Sequence, residues 1–182
     1  ASGLVLGNLG FTHCCIEDVG ILRSIPNISI ISPSDSLETV KAVEQALKYH
    51  QSCYIRITGG SNNPILNHTD YSFEIGKSIT LKKGKDVSII SCGSILNECL
   101  EAAEELEKKN ISTEVVNMHT IKPLDENKIS SILENSKLLV SVEEHNIIGG
   151  LGTAIAELIS SSKQKKPLLR LGVNDKYSKS GS

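Results

Sequence analysis

Few side chains in this 182-residue chain stand in a pattern suited to chemistry, and the most suggestive is His13. It lies in Gly10-Phe11-Thr12-His13-Cys14-Cys15-Ile16-Glu17-Asp18, behind a glycine-rich approach of Gly3, Gly7 and Gly10. Backbone with little side-chain cover lets a ligand come close, and an imidazole placed there can carry a proton near neutral pH. The plainer alternative is a histidine that bonds a loop carbonyl. Thr12 is a good N-cap, and Cys15, Ile16, Val19 and Leu22 follow at helical spacing until Ile25-Pro26-Asn27 stops the run. On this reading His13 stands at a helix entrance.

The other candidates are weaker. Glu143-Glu144-His145 joins acid and base groups just past an apolar run, where charges are usually solvated or lie at a domain contact. Gly149-Gly150-Leu151-Gly152 offers amides ahead of a helix, as phosphate loops do. It lacks both the GxGxxG spacing and a trailing Lys-Ser/Thr, so close packing of loop on helix explains it better. Vicinal Cys14-Cys15 inside a helix is unsuited to a disulfide. His50 and His68 fall in polar loops, and His119 follows a strand where two domains would meet.

Composition excludes several classes. A net charge of −2 without a basic cluster argues against nucleic acid and acidic membrane surfaces. No apolar run reaches membrane-spanning length, and the first residues do not read as a signal peptide. Five cysteines form no CxxC or Cys/His ligand set, which predicts free thiols in a reducing cytoplasm and no metal site. A hydrophobic content of 39% is enough for a core. Ala1 opens inside a glycine-rich turn that no strand precedes, so sequence upstream is expected.

The elements alternate in the α/β manner. Ile28–Ser32 and Cys53–Thr58 read as strands around a helix that Asp35 caps and Leu37, Val40, Val43 and Leu47 bury. Short strand–helix–strand units imply a parallel sheet. Turn formers from Gly59 to about Asp70 mark a boundary, placing a first unit at 1–62, a linker at 63–72 and a second unit at 73–182. In the second unit, Phe73–Leu81 and Val87–Cys92 read as an antiparallel pair. Then follow a helix striped by Leu96, Leu100, Ala103 and Leu106, a strand at Thr113–Met118 and a helix capped by Asp125. A strand at Lys137–Val142, a helix after Gly152 and a last strand at Leu168–Val173 complete it.

Several of these motifs together resemble the transketolase family. Gly10-x-Thr12-His13, Leu22-Arg23-Ser24-Ile25-Pro26-Asn27 and Pro33-Ser34-Asp35 are similar to its GxTH…LRxxPN…PxD signature. Val116-Asn117-Met118-His119-Thr120-Ile121-Lys122-Pro123-Leu124-Asp125 and the stretch from Val142 to Gly152 resemble its C-terminal domain. The likeness runs in order along the whole chain. It implies the second half of a pyrimidine-binding domain followed by a transketolase C-terminal-type α/β domain, as in the C-terminal subunits of split transketolases.

That resemblance implies a transferase moving a two-carbon ketol unit between small sugars, with thiamine diphosphate and Mg2+ held mainly outside this segment. It implies an N-terminal thiamine-diphosphate-binding partner and a dimer or heterotetramer. His13 matches the motif histidine that meets the sugar's oxygens, and is the expected catalytic and substrate-binding residue. Two positions depart from the family: Leu9 stands where an aspartate contacts a donor hydroxyl, and Gly59 where an arginine grips phosphate. Arg56 is the candidate displaced phosphate ligand, set against pairing with a structural carboxylate. The alternatives are a deoxyxylulose phosphate synthase, the β-type half of a 2-oxo acid dehydrogenase, and a non-catalytic assembly scaffold.

Overall fold

Two sheets share a principal apolar core, with two smaller apolar clusters beside it. The structure is a computed structural model that describes residues 2–58, 63–66, 71–177 and 179. The expected boundary at Gly59–Asn62, with Gly59 itself, and His68 lie outside these residues. A three-stranded sheet has the order β2 (Ser52–Ile55), β1 (Ile28–Ile31), β6 (Thr120–Lys122). The five-stranded sheet runs β3 (Ile79–Lys82), β5 (Thr113–Asn117), β4 (Val87–Ser91), β7 (Leu138–Asn146), β8 (Leu168–Val173). Helices α1 (Asp18–Arg23), α2 (Ser36–Ala46), α3 (Leu96–Glu107), α4 (Glu126–Asn135) and α5 (Leu151–Ser161) connect them.

Parallel pairing of β1 with β2, and of β4 with both β5 and β7, agrees with the crossover reading. The expected hairpin does not form. β3 pairs antiparallel with β5, not β4, and β5 lies between them. The reason is local: the amides of Lys85, Asp86 and Val87 all converge on the Ser112 carbonyl, so the turn straddles the start of β5.

Expectations for α2 divide. Asp35 caps it, accepting from the Glu38 amide at 2.8 Å. Its apolar stripe, however, faces outward: Leu37, Val40, Val43 and Leu47 are exposed, while Glu38 and Ala42 are buried. Helical periodicity identifies an apolar face, and here the sheet takes the neighbouring one. Glu38 survives burial by collecting donors, from the Ser34 amide at 2.7 Å, Asn117 Nδ2 at 2.8 Å and the Tyr71 hydroxyl at 3.0 Å. Burial still pushes its pKa above the ordinary carboxylate value.

The two halves are joined at the backbone. After β5 the chain leaves the larger sheet, and β6 pairs antiparallel with β1 of the smaller one. The principal core likewise mixes Val19 and Ile30 from the first half with Ile90, Val116, Leu139 and Ile155 from the second.

His119 sits at this crossing, fully buried and stacked on Phe73 with ring centroids 4.0 Å apart. Its Nδ1 lies 3.0 Å from the Thr120 hydroxyl, and its Nε2 has no hydrogen-bond partner among the described residues. Burial pushes its pKa down to about 4. Below the ordinary histidine value of about 6.5 the unfolded chain takes a proton that the folded one refuses, so stability falls as pH falls. We expect His119 to contribute a loss of about 1.4 kcal/mol per pH unit from roughly pH 6.5 down to 4. Urea unfolding of wild type and His119→Phe across that window checks this, since the variant loses the His119 share of the slope; parallel curves would refute it.

Candidate functional site

The segment carrying His13 is a loop rather than a helix entrance. Gly10–Thr12 forms one 3-10 turn, the chain then extends through Cys15, and α1 begins only at Asp18. Helix cannot start at Thr12 because Cys15 is held extended: Ser2 forms a parallel bridge with it, and its carbonyl accepts from the Gly3 amide at 2.9 Å. The Thr12 hydroxyl therefore donates to the Leu9 carbonyl at 3.1 Å and caps nothing. It also lies 2.9 Å from His13 Nδ1. His13 is exposed, with exposed Leu9 and Phe11 beside it. From the far end of the chain Tyr177 reaches this loop, its ring 5.8 Å from that of Phe11.

Beneath the loop lies a buried polar seam. Arg56, just beyond β2 and only 4% exposed, donates from Nε to Asp18 Oδ2 at 2.9 Å. Its Nη2 donates to the carbonyls of Cys15 at 3.2 Å and Glu144 at 3.0 Å. Asp18 Oδ2 accepts a second bond from the Tyr54 hydroxyl at 2.9 Å, and burial with the Asp18 charge pushes that phenol up to about 12. Thus Arg56, the candidate phosphate ligand, is engaged with a carboxylate and two backbone carbonyls inside the protein.

Glu143-Glu144-His145 belongs to the same seam. Solvation of these charges is overturned, because β7 runs on through them and all three are buried. They lie instead at the contact between the halves. His145 Nε2 must accept, since the Gly20 amide approaches it at 3.2 Å, and Nδ1 donates to the Asn146 carbonyl at 2.7 Å. This bonding needs the neutral ring, and burial lowers its pKa accordingly. Glu144 accepts from the Leu4 amide at 3.2 Å and from the Ser94 hydroxyl, tying the His13 loop to the second half.

The glycine run before α5 proves to be a packing device. Gly149 has φ +84°, and a Cβ there would lie 2.8 Å from the Gly20 Cα. A Cβ on Gly150 would meet Glu143 Oε2 at 1.9 Å. That carboxylate occupies the place of an anion, accepting from the amides of Leu151 at 2.7 Å and Gly152 at 2.9 Å. Sequence reasoning misses Glu143 in this role because cap and helix are separated by a turn. Asp35 and Asp125 cap α2 and α4 in the same way. Among the described residues no group of three or more His, Cys, Asp or Glu could hold a metal ion. All five cysteines are free thiols, and no helix among the described residues is long and apolar enough to cross a membrane.

Comparison with known proteins agrees with this architecture. The profile for the transketolase pyrimidine-binding domain matches residues 2–62, and that for the transketolase C-terminal domain matches residues 76–182. This chain belongs to the transketolase family. It is 41% identical over 182 residues to a putative transketolase C-terminal section from Methanocaldococcus jannaschii, covering 99% of this chain and 56% of the relative. It is 36% identical over 174 residues to one of the subunits of an apulose-4-phosphate transketolase from Actinobacillus succinogenes, covering 96% and 56%. A 1-deoxy-D-xylulose-5-phosphate synthase from Caldanaerobacter subterraneus is 36% identical over 177 residues, covering 97% of this chain and 28% of that one. Among solved structures, a split-gene transketolase described as an inactive β4 tetramer superposes with a TM-score of 0.87 at 36% identity, covering 96% and 56%. The chain thus spans about half the length of the transketolase relatives it matches.

The seam makes a stability prediction. Glu143→Ala strands two buried amides, and we expect it to lower unfolding free energy by about 2–4 kcal/mol. Equilibrium urea unfolding measures this. A change below roughly 0.5 kcal/mol would show that water replaces the carboxylate.

Proposed function

We propose that this chain is the C-terminal part of a split transketolase-type enzyme that transfers a two-carbon ketol unit between small sugars. The observation that carries this reading is the exposed His13 on its loop, within a family match that runs the length of the chain. His13 would hydrogen-bond or protonate the oxygens of the reacting sugar. The thiamine diphosphate and Mg2+ would be supplied mainly by an N-terminal polypeptide, in a cytoplasmic dimer or heterotetramer. The inactive β4 assembly of the split-gene relative supports the need for that partner. The pyrimidine-binding half would be residues 1–62 and the C-terminal domain residues 73–182, joined by 63–72.

The deoxyxylulose phosphate synthase similarity keeps a second reading in the same cofactor class, with a 2-oxo acid as donor. Leu9 favours a departure from ordinary ketose phosphates, since its side chain cannot bond a donor hydroxyl. Each charge-assisted bond lost in this way weakens discrimination by roughly 1.5–3 kcal/mol. Steady-state kinetics of the assembled enzyme test both points. We expect His13→Ala to lower turnover by about two to four orders of magnitude with little change in melting temperature. We also expect a deoxy sugar, a nucleotide-linked sugar or a small 2-oxo acid to outperform xylulose 5-phosphate. Near-normal turnover of the variant would remove His13 from the site, and family-typical efficiency with xylulose 5-phosphate would overturn the inference from Leu9.

A further inference from the structure

We infer that Arg56 is a positioning residue for the His13 loop, acting through the backbone at the loop's end rather than on the substrate. The inference rests on the reading of His13 given above. Between Leu4 and His13 only Gly10 is buried, so side-chain packing contributes little to holding this segment. Short turn hydrogen bonds, among them those of the His13 and Cys14 amides to the Gly10 carbonyl, and the Phe11–Tyr177 contact shape the segment, and anchors at its two ends fix it to the rest of the protein.

At the leading end, Gly3 donates to the Cys15 carbonyl and Leu4 to Glu144 Oε1. At the trailing end, the Ile16 amide donates to Glu17 Oε2 at 2.8 Å and the Ile16 carbonyl accepts from the Asn146 amide at 2.8 Å. Arg56 joins these ends. One nitrogen, Nη2, bonds both the Cys15 carbonyl, two residues beyond His13, and the Glu144 carbonyl on β7. The Cys15 carbonyl is thus shared by Gly3 and Arg56, so the same atom closes the loop and fixes it to the second half.

The guanidinium is itself aimed. Asp18 grips Nε, and Tyr54 holds the same carboxylate oxygen from the other side. Arginine suits this task because its planar fork keeps three bonds in fixed relative directions, whereas an ammonium is a single point of charge. A phosphate ligand would need this group at the surface, and at 4% exposure it is not there.

The test compares Arg56→Lys with wild type in the full-length polypeptide, alone and assembled with its N-terminal partner. Lysine keeps a charge for Asp18 but cannot reproduce the fork. Hydrogen exchange by mass spectrometry over residues 3–16, without substrate, reads the loop directly. We expect at least tenfold faster exchange there, and in the assembled enzyme at least a tenfold fall in kcat with KM changed less than threefold. The effect should be equal for phosphorylated and unphosphorylated donors. Unchanged exchange over residues 3–16 overturns the inference, as does a rise in KM confined to phosphorylated donors. His13→Ala measured alongside reports on the functional reading separately, since it should lower turnover by about two to four orders of magnitude while leaving this exchange unaltered. Should Arg56→Lys fail to fold, Tyr54→Phe loosens Asp18 without touching the guanidinium. It should raise the same exchange at least threefold, and no rise would overturn the inference.

Discussion

The buried pair of Arg56 and Asp18 is the constraint around which this molecule is arranged. Taking two opposite charges out of water is costly, and their attraction alone does not reliably repay it. Such a pair persists where other polar groups complete its bonding. Here the Tyr54 hydroxyl and the carbonyls of Cys15 and Glu144 do so, and they come from three separated parts of the chain. A pair placed this way does more to specify one arrangement of the halves than to stabilise it. Asp18 Oδ1 accepts no hydrogen bond among the described residues.

The same logic explains why three helix N-termini of this chain are already filled. Helix N-termini attract negative charge. In α2, α4 and α5 that charge is the protein's own, from Asp35, Asp125 and Glu143. Glu143 and Glu38 serve structure at the junction, while His119 and His145 are kept neutral by burial. Of the described histidines, His13 is the one that combines exposure with the family's motif, which is why the proposed chemistry is placed on its loop.

Much of this is legible in the sequence, and the failures have physical causes. Caps and strand runs declare themselves locally, which is why Asp35, Asp125 and the parallel strands can be read from it. The stripe of Leu37, Val40, Val43 and Leu47 misleads because periodicity reveals an apolar face without naming its partner. The 3-10 turn and extended segment around His13 read as helix, because pairing of Cys15 with Ser2 overrides local spacing. β6, three residues long, is too short to register as a pattern. The buried roles of Glu144 and His145 depend on contacts over long chain separations, which no local window contains, whereas Glu143 reaches the start of α5 across a turn. Arg56 stands out in the sequence as a candidate displaced phosphate ligand near Gly59, and its structural alternative, a carboxylate partner, is the contact observed.

The proposed division of the site is tested most directly by calorimetry. Thiamine diphosphate with Mg2+ would be titrated into the full-length polypeptide containing this chain, first alone and then mixed with its N-terminal partner. We expect no tight binding to the polypeptide alone, and tight, magnesium-dependent binding in the mixture. Tight, magnesium-dependent binding without the partner would contradict a site shared between two chains.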